Sequence, residues 1–154
     1  MKLCFILPGS EYSAYFLMAW TDLVMKCAQR GHQIMVSQQN TRAECFKACT
    51  EKFDAYMCID PEAVFTSENV FQLLESPHAV TGALMVSDGH GQLTCGRSME
   101  SMIHEHENQY TEVEKLTPNF VLIQDIPEGW NYTDPIAGHV DTKIRVGNRI
   151  TVVV

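Results

Sequence analysis

Asp60 and Glu62 stand two residues apart, just after the apolar run Ala55–Ile59. On an extended backbone, side chains at i and i+2 share a side. Two carboxylates on one side of a cleft suit a hard cation such as Mg²⁺ or Mn²⁺. Such a cation can bridge a diphosphate and neutralise a leaving group. The competing reading is that Asp60 caps a turn and Glu62 is solvated. Arg42 falls in the first turn of a helix that follows another apolar run. Its guanidinium there can bond to or stack on a base, or pair with a carboxylate, or simply lie exposed. His104-Glu105-His106-Glu107 has metal-ligand residue types. Residues two apart on a helix diverge and no H-E-x-x-H spacing is present, so the segment reads as a solvated face. His90 and His139 have no partner at ligand spacing. There is no G-x-G-x-x-G, no P-loop and no G-x-S-x-G elbow, which disfavours Rossmann dehydrogenases, P-loop NTPases and α/β-hydrolases.

Elements must hold these residues in place. Lys2–Leu7 is a short apolar run closed by Pro8-Gly9, hence a buried strand. From Ser13 to Arg30, apolar residues recur at spacings of three and four, which predicts an amphipathic helix with Gly31 as its C-cap. Gln33–Ser37 is a second run of strand length. Thr41 to Glu44 fits a capping box, opening a helix that ends near Lys52. Ala55–Ile59 is a third strand, stopped at Asp60-Pro61-Glu62 because proline cannot donate to a ladder. Ser67–Glu75 is a helix ended by Pro77. Ala79–Ser87 and Gln92–Cys95 flank Asp88-Gly89-His90-Gly91, a hairpin signal. Glu100–Asn108 is a polar helix or loop. Phe120–Ile126, Ile144–Val146 and Ile150–Val154 are strand-like, the last two separated by Gly147-Asn148, a predicted turn.

Strand–helix alternation predicts an α/β fold with helices on both faces of a mixed, mostly parallel sheet, as a single compact domain over residues 1–154. In such sheets ligands lie beyond the carboxyl ends of the strands. Those ends are Pro8-Gly9-Ser10, Ser37 to Arg42 and Asp60-Pro61-Glu62.

Composition agrees with a globular chain. It has 154 residues, 45% hydrophobic and 19% charged, a proportion that argues against disorder. The net charge of -8 argues against nucleic acid or an anionic membrane as a default partner. No stretch has the length of a membrane span or a signal-peptide core, so a cytoplasmic location is expected. The six cysteines form no C-x-x-C pair and sit in apolar stretches, as reduced core thiols would.

The stretch Asn40-Thr41-Arg42-Ala43-Glu44, Phe53 to Phe65 with its Asp60-Pro61-Glu62, Leu73-Leu74 and Val80-Thr81-Gly82 resembles GT-A-fold glycosyltransferases. It is most similar to small phage and bacterial members. Phe5 to Gly9 looks like their first, nucleotide-side strand, and Gly138 to Asn148 like their last. The resemblance implies a GT-A-like domain that transfers a sugar from a nucleotide-diphosphate-sugar donor, UDP- or GDP-linked, with Mn²⁺ or Mg²⁺ as cofactor. It puts Pro8, Gly9, Arg42 and Asp60 at the nucleotide, and Asp60, Glu62 and Asn148 at the metal. Glu62 replaces the usual second Asp, and Asn148 the usual terminal histidine. For the catalytic base the nearest candidates are Glu128, Asp134 and Asp141. The chain is short for a donor site plus an acceptor platform, so a second subunit of a homo-oligomer can supply acceptor contacts. The alternatives are a vestigial, non-catalytic sugar-nucleotide-binding module and, more weakly, a nucleotidyltransferase. The latter would carry a basic, Gly-rich first loop where this chain has Glu11.

Overall fold

The computed structural model describes residues 1–86 and 109–148. Strand β1 (Lys2–Pro8) is buried on both faces, with only its ends partly exposed. Its side chains alternate between two cores. Leu3, Phe5 and Leu7 pack with Phe16, Leu23 and Cys27 of helix α1 (Ala14–Gln29) and with Val70, Phe71 and Leu73 of helix α3 (Ser67–Leu74). Cys4 and Ile6 pack with Cys45 and Phe46 of helix α2 (Arg42–Lys47). A period of two along a strand gives this division.

Local signals set the helix ends. Ser13 caps α1 by accepting from the Phe16 N–H at 3.1 Å. At the other end His32 N–H reaches the Cys27 carbonyl and Gly31 N–H the Ala28 carbonyl, with Gly31 at φ +77°. These two bonds form a Schellman cap, and the left-handed backbone favours glycine there. Thr41 caps α2, accepting from Glu44 N–H at 3.2 Å. Glu44, expected to reach the Thr41 backbone, instead accepts from the Thr41 hydroxyl at 2.9 Å. Helix α2 stops at Lys47 rather than near Lys52. The following residues are drawn to the start of β1: Lys2 N–H donates to Asp54 at 2.7 Å and Lys2 Nζ meets Glu51 at 2.5 Å. A full capping box, Thr66 with Asn69, opens α3.

The remaining strands are β2 (Gln33–Gln39), β3 (Ala55–Ile59), β4 (Ala63–Val64), β5 (Val80–Val86), β6 (Tyr110–Leu116), β7 (Phe120–Ile123) and β8 (Ile136–Asn148). All eight join one sheet in the order β2-β1-β3-β7-β5-β8-β4, with β6 also on β8. The first three strands are parallel and adjacent, as expected. Elsewhere only β5–β8 is parallel among the described residues; β3–β7, β5–β7, β4–β8 and β6–β8 are antiparallel. The sheet is therefore mixed rather than mostly parallel. Among the described residues β2 is an edge strand, with Met35 and Val36 exposed.

Two expectations are overturned here. Gly147-Asn148 is not a turn: it continues β8, because Val64 and Ala63 of β4 pair with it. β8 is one strand of 13 residues, not a short run. Its register against β5 jumps from Ala83–Asp141 to Leu84–Arg145, so Thr142 to Ile144 form a bulge. The hairpin at Asp88 to Gly91, the charged segment His104 to Glu107 and the run Ile150–Val154 lie outside the described residues. No helix among the described residues is long and apolar enough to cross a membrane.

Candidate functional site at the carboxyl edge of the sheet

β1, β2 and β3 run the same way, so their carboxyl ends share one edge. β5 runs with them, because β7 is antiparallel to both β3 and β5. β8 is parallel to β5 and ends at the same edge with Asn148. Topology thus gathers Pro8-Gly9, Arg42, Asp60-Pro61-Glu62 and Asn148 at one end of the sheet.

The backbone closes the loops on one another. Gly9 has φ +95°, and a Cβ there would sit 3.2 Å from Cγ of Pro61. The first loop and the acidic turn therefore touch, and a side chain at position 9 would be both strained and crowded. Gly9 N–H donates to the Gln39 carbonyl at 2.8 Å, and Gln38 Nε2 donates to the Gly9 carbonyl. The Tyr12 hydroxyl lies 3.0 Å from the Leu7 carbonyl and 3.1 Å from that of Pro8. Burial above all, then the neighbouring Cys45 thiol and the Asp60 carboxylate, pushes the Tyr12 phenol up, so it remains a donor to these carbonyls.

Asp60 ends β3. Its N–H donates to the Asn119 carbonyl at 2.7 Å, its Oδ1 accepts from Glu62 N–H at 2.9 Å, and its carbonyl accepts from Ala63 N–H at 3.0 Å. These bonds make an Asx turn within a β-turn. The extended backbone that would put Asp60 and Glu62 on one side is not formed: Pro61 favours the turn instead. The turn still delivers Glu62 to the residue before Ala63, and Ala63 is the partner of Asn148 across the β4–β8 ladder. Glu62 and Asn148 are thus neighbours in the fold, although 86 positions separate them in sequence.

Arg42 opens α2. Its Nε is buried and has no hydrogen-bond partner among the described residues. A buried guanidinium donor without an acceptor is costly, and a bound anion or base would relieve it. Burial pushes the Cys58 thiol up to about 12, and the nearby Arg42 charge opposes that rise.

No family model matches the chain, and no curated protein matches its sequence.

The three catalytic candidates do not join this edge. β7 pairs Phe120 with Ile59 and Ile123 with Tyr56, so the chain leaves β7 at the amino end of β3. Glu128 and Asp134 follow in the exposed loop there. Asp134 is held by Asn131 Nδ2 at 2.8 Å, and its carbonyl accepts from Trp130 Nε1 at 2.9 Å. Trp130 and Tyr132 pin that loop against Phe46, with ring centroids at 5.4 and 4.9 Å. Asp141 is fully buried in β8. Its Oδ1 accepts from Lys143 N–H and its Oδ2 from Gln109 Nε2, both at 3.0 Å. The bond from Lys143 N–H closes the β8 bulge, and Gln109 also holds the bulge, its carbonyl accepting from Thr142 N–H at 2.8 Å.

Sequence reasoning missed Tyr12, Gln38 and Asn119, which hold the edge through backbone carbonyls. It also missed the partner of His139, which is His78, stacked at 3.6 Å between ring centroids. That pair lies beside a cavity of about 360 Å³ lined by Val80, Glu112, Asp125 and His139, at the opposite end of β5. Among the described residues, no group of three or more His, Cys, Asp or Glu side chains is placed to hold a metal ion. A cation at the carboxyl edge would draw on the two carboxylates, Asp60 and Glu62, together with the amide oxygen of Asn148.

Proposed function

We propose that the carboxyl edge binds the nucleotide diphosphate of a sugar-nucleotide donor and that the chain is a GT-A-like glycosyltransferase. The reading takes the helices as cover on both faces of the sheet. The observation that carries it is the close approach of Gly9 to Pro61, so tight that a Cβ at position 9 would crowd the proline ring, which brings the first loop against the acidic turn. Arg42 opens α2 at the same edge, and its buried Nε lacks an acceptor among the described residues. Asp60, Glu62 and Asn148 supply oxygen donors, a set that suits Mg²⁺ or Mn²⁺. When bound, the cation would neutralise charge on the diphosphate. Arg42 would take the base or a phosphate oxygen through its guanidinium. Tyr12 and Gln38 keep the first loop in shape, so that little order is lost on binding.

A specific observation favours the second reading, a non-catalytic binding module. Glu128 and Asp134 sit at the far end of the sheet, and Asp141 has both oxygens engaged. None of the three stands where a general base would be needed.

Calorimetry tests the first step. UDP or GDP should bind with Mn²⁺ present, and EDTA should abolish the binding. Asp60→Asn keeps the shape and removes the charge. It should weaken binding by about 30-fold, the loss of roughly 2 kcal/mol expected of one charged contact. Binding indifferent to both changes refutes the site. Turnover of a panel of sugar nucleotides then separates the readings: binding with turnover supports the transferase, and binding without it the module.

A further inference from the structure

Four cysteines gather on one face of the sheet: Cys4, Cys45 and Cys58 in the core, and Cys49 beside them, partly exposed. Two are in contact. Cys4 Sγ and Cys49 Sγ lie 3.5 Å apart, across 45 positions of sequence. Cys45 has its sulfur toward the Gln39 carbonyl instead, at 3.9 Å.

Cys49 is held in this position from both sides. Before it, Cys45 and Phe46 are buried in the core. After it, Glu51 binds Lys2 Nζ, Asp54 accepts from Lys2 N–H, and Asp54 N–H donates to the Lys2 carbonyl at 2.8 Å. Lys2 Nζ also lies over the Phe53 ring, 5.1 Å from its centroid. Residues 49 to 54 are thus laced to the start of β1, two residues from Cys4. A disulfide needs its sulfurs at about 2.05 Å, so closure asks for a shift of roughly 1.5 Å, within reach of side-chain rotation.

We propose that Cys4 and Cys49 form a redox-modifiable pair that closes into an intramolecular disulfide when the protein meets a peroxide. The partly exposed Cys49 reacts first. Its sulfur takes one oxygen from the peroxide and becomes a sulfenic acid, and water (from hydrogen peroxide) leaves. Cys4 then attacks the Cys49 sulfur. The S–S bond forms, the S–O bond breaks, and the departing hydroxide carries off the Cys4 proton as a second water. Two thiols lose two electrons and two protons, and one peroxide becomes two waters. Burial, and the hydrogen bond to Cys49, push the Cys4 thiol up, so the second step quickens as pH rises.

The product would tie β1 to the segment after α2, whose first residue is Arg42. Cross-linking positions this far apart restricts the unfolded chain and raises the melting temperature by about 10 °C.

The test uses the whole reduced chain, hydrogen peroxide at pH 8, denaturing alkylation, trypsin and mass spectrometry. Trypsin separates the cysteines cleanly: Cys4 falls in Leu3–Lys26, Cys45 in Ala43–Lys47 and Cys49 in Ala48–Lys52. The expected product links Leu3–Lys26 to Ala48–Lys52, with the rise in melting temperature, both reversed by dithiothreitol. Cys45→Ser should keep the link, and Cys49→Ser should lose link and rise together. Cys49 recovered as sulfinic acid without a link would overturn the proposal. So would cross-links that run instead through Cys27, Cys45, Cys58 or Cys95, or two thiols that stay reduced.

Discussion

Gly138→Ala should lower stability by about 3 kcal/mol, at the upper end for one added methyl group. A Cβ at position 138 would lie 2.7 Å from Val80 Cγ1 and 2.8 Å from the Val80 carbonyl oxygen. The second of these is backbone, so no rotamer change removes the clash. Gly138 pairs with Val113 of β6, and its neighbour His139 pairs with Thr81 of β5. The strand is gripped from both edges and cannot step aside. For a chain of this size the loss corresponds to roughly 9 °C in melting temperature. Thermal unfolding followed by circular dichroism measures it. An unchanged midpoint would mean that β5 and β8 part locally, contrary to the pairing described.

Phe120→Ala should cost more, about 4 kcal/mol. Phe120 is fully buried in the core shared with α1 and α3, and its ring lies 5.4 Å from that of Phe65. The residue also opens β7, paired with Ile59, directly after Asn119. The Asn119 carbonyl accepts the Asp60 N–H, so the same deletion loosens the acidic turn. Denaturant titration should show the loss of stability. Under conditions where the variant remains folded, the Mn²⁺-dependent nucleotide binding proposed above should weaken too. Leu122→Ala serves as the comparison: Leu122 is equally buried and pairs with Met57, away from the turn. It should lose stability without a matching loss of binding. Equal effects on binding would separate Phe120 from the site.

Much of the first half of the fold was legible because its signals are local. β1 and β3 are short apolar runs closed by proline, and Ser13 and Gly31 punctuate α1. The gathering of Gly9, Arg42 and Asp60 followed from parallel strands, whose ends must share an edge. The second half depends on pairings that no local pattern reveals. β6 escaped notice because its buried positions, Thr111, Val113 and Leu116, are spaced two and then three apart, across a register shift. Within β8 only the short run Ile144–Val146 reads as strand, because Asp141 to Lys143 are polar and Gly147-Asn148 looks like a turn. Its partners β5, β6 and β4 override both signals. Position along the chain makes Glu128 and Asp134 candidates for the catalytic base. Strand direction decided otherwise: an antiparallel β7 carries them to the far end. Pro61 stands in plain view within the acidic motif, but the Asx turn that it helps form rests on the Asp60–Glu62 bond, which no residue pattern displays.

The two ends of the sheet differ in how they meet other molecules in a crowded solution. On the far side, β6, which pairs with β8, carries the exposed Glu112, Glu114 and Lys115, charges that discourage another strand from adding. β2, at the other end, reads Gln-Ile-Met-Val-Ser-Gln-Gln, with no charge and no proline over seven residues. Among the described residues its outer backbone groups have no strand partner, and Met35 and Val36 are each 44% exposed. Sheet-to-sheet sticking of this chain should therefore begin at β2, in spite of a net charge that otherwise keeps copies apart. Val36→Lys would place a gatekeeper at the centre of that edge. Light scattering of concentrated samples should show slower aggregation of this variant than of the unaltered protein, whereas a lysine at Glu114 should bring no such gain.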